Sequence, residues 1–197
     1  AMALSSAKEP FLITGKIWFK VPESVKIMIG GTLQDGVMPR DVIEMCIARI
    51  GQGVCNDKAV EYTGPAIDAM SMDGRFTVVN GTPWLEAMVG ICNPDQTTVA
   101  YVKERQPQAV FTPLTSDPDA VYAKTFTFDV TDLEPQVACH PDRFDIRPIS
   151  QVKGKVINRG YIGGCASARM EHLRIAARIL KGKKIAIIGY GSQGHAH

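Results

Sequence analysis

Close-paired cysteines are missing from this chain. Its five cysteines, Cys46, Cys55, Cys92, Cys139 and Cys165, are odd in number and include no Cys-x-x-Cys pair. Neither a disulfide framework nor a complete zinc or iron–sulfur ligand set is therefore written in the sequence, and a reducing cytoplasm is the expected setting. Long apolar runs are missing too: none approaches the roughly 20 residues that cross a bilayer, so no membrane partner is expected. There is no excess of one charge. The 22 Lys and Arg are scattered among 20 Asp and Glu, for a net charge of +2, which argues against a nucleic-acid surface. The opening Ala1–Lys8 lacks the charged-then-apolar layout of a signal peptide, and residues 1–14 are expected to be a tag or a divergent tail. Internal repeats and low-complexity tracts are absent. What remains, 45% hydrophobic and 21% charged over 197 residues, is the profile of a globular protein with one large or two small domains.

The local pattern is a mixture of short strands and helices, hence α/β. Ile17–Phe19 and Val25–Ile29 are β-prone runs, the second ended by Gly30 and Gly31. Pro39 sits where a first helical turn begins, with Asp41 complementing the dipole. Val42, Ile43, Cys46, Ile47 and Ile50 then follow helical spacing up to Gly51 and Gly53. Gly64 and Pro65 open a shorter helical segment, Phe76–Val79 reads as a strand, and Asp95 caps a helix to about Arg105. Residues 106–119 carry three prolines and read as a connection between two halves. Phe126–Val130 reads as a strand and 133–148 as mostly irregular. Trp18 and Trp84 are expected in the core or an interface.

A strand-turn-helix junction near the end is the most telling feature. Val156, Ile157, Tyr161 and Ile162 read as a strand, 163–167 as a small-residue turn, and Arg169 as the start of a helix to about Leu180. That helix is expected to carry Ser167 as N-cap and to bury Met170, Leu173, Ala176, Ala177 and Leu180. A thiol beside unpaired helical N–H groups and a guanidinium suits an anion or a soft metal centre. The segment 161–169, YIGGCASAR, resembles the first cluster-cysteine motif of the aconitase-type dehydratases, most closely the large subunits of 3-isopropylmalate dehydratase and homoaconitase. The resemblance runs over about 15–184 and includes GKIWFKVPES (15–24), GVMPRDVI (36–43), EYTG (61–64), MDGRFT (72–77), DAVY (119–122) and LEPQVA (133–138).

The resemblance implies a three-layer α/β architecture with a mixed or parallel sheet, a middle domain over 15–110 and the start of the next over 111–184. It implies dehydration and rehydration of a hydroxy-diacid on a [4Fe–4S] cluster, with a separate small subunit closing the site. By family position Cys165 is one metal ligand of three, while Ser167 and Arg169 contact substrate. Read from the residues alone, Cys165 is more simply a small buried thiol in a tight turn, and Arg169 is equally a surface side chain. The chain departs from the family pattern around Cys165, and four residues after Asn80 it places Trp84 where the family has an acid, with Glu86 two residues late. The expectation is a section or divergent form of a large subunit that is inactive alone and does not hold the cluster by itself. A self-associating, non-catalytic module of the same fold, most simply a homodimer, is the alternative.

The tail, 185–197, points elsewhere. KKIAIIGYGSQGHAH (183–197) resembles the opening of ketol-acid reductoisomerase, an NADPH enzyme of the same branched-chain amino-acid pathways. Gly189, Gly191 and Gly194 follow the phosphate-cradling spacing. A working NADP site also needs a following helix, a second strand and a ribose-reading residue, so NADP binding is not expected. Cys139 with His140, and His195 with His197, are metal-capable pairs that read more simply as loop and tail. Asp129, Asp132 and Glu134 read as an exposed acidic turn.

Overall fold

The computed structural model describes residues 12–16, 18, 20–157, 160–164 and 168–181. They fall in two compact units, Ala1–Lys155 and Val156–His197. The first is organised on a parallel sheet of β1 (Ser24–Gly30), β2 (Ala59–Thr63), β3 (Val89–Cys92) and β4 (Lys124–Asp129), in the spatial order β3-β2-β1-β4. Helix α1 (Pro39–Ile50) links β1 to β2. Helices α2 (Pro65–Asp68) and α3 (Met72–Gly81), with a 3-10 turn over Thr82–Leu85, link β2 to β3. Helix α4 (Gln96–Arg105) and a long connection lead to β4. The chain is thus α/β, with helices between parallel strands. The proline-bearing connection does not separate one sheet from another, because β4 beyond it pairs directly with β1.

Register decides the faces. Val25, Ile27 and Ile29 share one face with Val60 and Tyr62 of β2 and with Phe126 and Phe128 of β4. That face meets the stripe of α1 expected from spacing: Val42, Ile43, Cys46, Ile47 and Ile50 are all buried in the same core. Each fully buried aliphatic side chain of this kind contributes roughly 1.5–3 kcal/mol. Proline at its first turn and a glycine C-cap, Gly51 at φ 81°, bound the helix as read.

Phe76–Val79 is helical, not extended, which corrects the strand reading. Ser71 accepts a hydrogen bond from the Gly74 N–H at 3.1 Å and so starts α3. The helix is then buried on several sides, at Gly74, Arg75, Thr77, Val78, Val79 and Gly81. It packs on α1 so closely that a Cβ at Gly81 would lie 2.6 Å from Ile43 Cγ1.

The other face of the sheet carries Lys26, Glu61 and Ile91, and 106–123 crosses it. Beyond β4, β5 (Gln136–Ala138) and β6 (Ile146–Pro148) form a small antiparallel pair in the stretch read as irregular, followed by the short α5 (Ile149–Val152). Asp41 ties this pair to α1, accepting from Met38 N at 2.6 Å and from Gln136 N at 2.7 Å.

In the second unit α6 spans Met170–Ile179. Its N-cap is Arg169, while Ser167, expected there, lies outside the described residues. The expected buried stripe does not form: among the helix's described residues His172 is buried, whereas Met170 and Ala177 are exposed. Val156, Ile157, Tyr161 and Ile162 are not in a strand, since β-prone residues need a neighbour to pair with. The tryptophans also differ from expectation. Trp18 is 89% exposed and Trp84 40% exposed. Ile17 and Phe19 lie outside the described residues, and Trp18 between them is not in a strand. No helix among the described residues is long and apolar enough to cross a membrane.

Candidate functional site

In a parallel sheet ligands lie outside the carboxyl ends of the strands, where the strand order reverses. Here that point is between β1 and β4. Gly30 and Gly31 leave β1, and the Val130 N–H donates to Gly30 O at 3.1 Å. Gly31 takes φ 82°, and a Cβ there would fall 2.5 Å from Thr131 Oγ1 and 2.6 Å from Asp129 Oδ1, so only glycine fits. The Asp129 carboxylate accepts from Thr131 N at 2.8 Å, and hydrogen bonds from Thr131 hold its pKa below the usual range. Asp129 is thereby spent on shaping its own turn, with Asp132 and Glu134 exposed beyond it as read.

A second polar node sits on the sheet face away from α1. Glu61, 7% exposed in the middle of β2, accepts at Oε2 from Ser116 Oγ (2.5 Å) and Tyr122 OH (2.7 Å), and at Oε1 from Asn93 Nδ2 (3.1 Å). Lys26 lies over the Tyr122 ring, 4.8 Å from its centroid. In the sequence EYTG reads only as a mark of ancestry. The available signal was an acid inside an otherwise apolar strand, which demands donors when buried.

A third node joins α3 to α4. Arg75, 3% exposed, holds both oxygens of Asp95 at 2.7 and 2.6 Å and donates to Asp68 O at 2.9 Å. Asp95 in turn caps α4 by accepting from Thr98 N. The guanidinium pulls the Asp95 pKa down to about 2.

The thiols are quiet. Burial pushes Cys46 up to about 12 and Cys92 up to about 11, and raises Cys55, so these groups stay protonated. Cys139, just past β5, donates back to Val137 O, 3.7 Å away. Among the described residues no three His, Cys, Asp or Glu side chains converge as a metal site.

Cys165, Ser167, Gly189, Gly191, Gly194, His195 and His197 lie outside the described residues. Arg169 is described at the start of α6, where its N–H points to His172 Nδ1 at 3.4 Å. Glu86, the nearest acid after Asn80, accepts from Gly53 N at 2.7 Å and serves the turn after α1. Trp84 lies beside Arg143 on the surface.

The model of the aconitase family (aconitate hydratase) matches residues 5–152. That of the acetohydroxy acid isomeroreductase NADPH-binding domain matches residues 179–197. A probable methanogen homoaconitase large subunit from Methanosarcina mazei is 40% identical over 174 residues, covering 88% of this chain and 44% of its own length. The 3-isopropylmalate dehydratase large subunit of Geobacter metallireducens is 40% identical over 184 residues, covering 89% and 43%. That of Heliobacterium modesticaldum is 43% identical over 173 residues, covering 87% and 40%. The chain therefore spans less than half the length of these relatives.

Proposed function

The chain belongs to the aconitase family, and on that premise we propose that it is a section, or a divergent form, of the large subunit of a hydro-lyase. The reaction is the isomerisation of a hydroxy acid with two or three carboxylates, of the 3-isopropylmalate or homocitrate type, by dehydration and rehydration in the cytoplasm, the 3-isopropylmalate type serving branched-chain amino-acid synthesis. The observation that carries this reading is the identity of about 40% to two kinds of large subunit over nearly 90% of the chain. Relatives named large subunits support a small-subunit partner.

In such enzymes a [4Fe–4S] cluster polarises the substrate hydroxyl. The described donors do not fit that group, because among the described residues no three His, Cys, Asp or Glu side chains converge, and Cys46, Cys55 and Cys92 are set in the core or against it. The role we assign to this chain is the scaffold, together with Arg169 and Ser167 as carboxylate contacts and Cys165 as a single ligand. One thiol does not hold a cluster, so the chain alone is inactive.

Anaerobic treatment with iron and sulfide, with and without a relative's small subunit, tests this. The chain should take up less than about one cluster and turn over no hydroxy-diacid. A stoichiometric brown protein that loses its colour in Cys165→Ser, or turnover by the isolated chain, would overturn the inactive-section reading.

A further inference from the structure

A small open cavity of about 70 Å³ lies between the start of α1, the 3-10 turn and the loop before β6. Trp84 and Phe144 form aromatic walls, Ile47 contributes an apolar wall, and Arg40, Glu44 and Arg143 supply the charge. The Arg143 guanidinium lies 4.1 Å from the Trp84 ring centroid and 4.5 Å from that of Phe144. Stacking of this kind uses the faces of a guanidinium and leaves its N–H edge to form paired hydrogen bonds.

The charges around it are already assigned, with one exception. Arg40 is paired with Glu44 one helical turn away. Asp142 caps its own turn by accepting from Phe144 N at 2.9 Å. Asp145 is held by both Arg147 Nε and Nη2 at 2.7 Å. Among the described residues Arg143 forms no ion pair. The pocket therefore carries one uncompensated, oriented guanidinium against aromatic and aliphatic walls.

We propose that this pocket binds the carboxylate of a small organic acid, with Arg143 as the bidentate anchor and Trp84, Phe144 and Ile47 as the apolar seat for the adjoining carbon. The planar fork of a guanidinium matches the two oxygens of a carboxylate, which a halide cannot mimic. The volume admits one carboxylate with a short carbon stub and little more. The assignment does not rest on the hydro-lyase reading.

Trp84 is its own reporter. In a Trp18→Phe background, which removes an indole 89% exposed, the remaining fluorescence comes from Trp84. Titration with acetate and with malonate at constant ionic strength should give saturable changes with midpoints on the order of millimolar, while chloride gives none. Arg143→Gln should abolish the saturable change. Arg143→Lys, which keeps the charge and loses the fork, should weaken it by about tenfold. Because Arg143 is exposed, both variants should keep the parent melting temperature, and a melt alongside each titration checks this. No saturation with either acid, an equal response to sulfate, or undiminished binding in folded Arg143→Gln would each overturn the assignment.

Discussion

Arg75 shows how one side chain can hold two helices while contributing no chemistry. Its buried guanidinium faces an Asp95 whose side chain is 39% exposed. Removing Arg75 strands the Asp68 carbonyl but leaves Asp95 access to water. Arg75→Ala should thus cost roughly 2 kcal/mol, below the range of about 3–5 for fully buried pairs. Urea melts of the two proteins at neutral pH check the value. The same pair sets a pH dependence. Asp95 titrates near 2 when folded and near about 3.9 when unfolded. Its contribution is therefore complete above about pH 4 and disappears as the pH falls through about 2. Asp95→Asn still caps α4 but cannot charge, so its deficit relative to the parent should shrink as melts are taken from about pH 6 towards about pH 2. A deficit that stays constant with pH would mean that the charge of Asp95 is unimportant. Half of the Arg75 node was legible: Asp95 announced itself as a cap, whereas nothing local marks an arginine that binds a carboxylate twenty residues away.

At the scale of elements, legibility followed periodicity. Helix α1 packs with one stripe and shows proline and glycine punctuation, so its spacing and its place in the core were both readable. Helix α3 has no such contrast, because it is buried on several sides and its Phe-Thr-Val-Val segment is β-prone. Strands β2 and β3 are five and four residues long and carry no sequence signal of their own, since short apolar runs resemble loop or helix until register joins them. The close crossing of α1 and α3 leads to a second prediction. Gly81→Ala places a Cβ 2.6 Å from Ile43 Cγ1. It should destabilise by about 1–3 kcal/mol in chemical unfolding, although alanine favours a helix. The connection leading to β4 supports a third. Between 106 and 123 its hydrogen bonds to the sheet among the described residues are those of Ser116 and Tyr122 to Glu61 and of Ala123 N to Ser24 O. Glu61→Ala should release this strap. Limited proteolysis within 106–123 should accelerate about tenfold while cleavage in the rest of the unit changes much less. Uniform acceleration across the domain would show that Glu61 supports the sheet as a whole and does not latch the strap.

For the whole molecule, the question is which apolar surfaces remain. The α1 stripe does not need a neighbour, because the sheet of its own unit covers it. Elsewhere apolar side chains stay open. Met28 and Ile91 are exposed on the sheet, Val110, Leu114 and Val121 on the strap, and Met170 and Ile179 on α6. Large apolar patches seldom remain wet on a soluble protein, and the chain spans less than half the length of its curated relatives. Self-association is therefore the expected way to hide them, with a twofold dimer the simplest closed form. A specific dimer would bury at least about 1,000 Å² in total. The sheet face and strap would supply the apolar centre, with Lys26 on the same face as part of a polar rim. Light scattering over a micromolar dilution series should show a concentration-dependent dimer. Ile91→Lys together with Leu114→Lys should shift it towards monomer without lowering monomer stability, since both side chains are exposed. A parent protein that remains monomeric and unfolds cooperatively would mean that these side chains are tolerated singly by water. A dimer unaffected by the double variant would move the interface away from the sheet face.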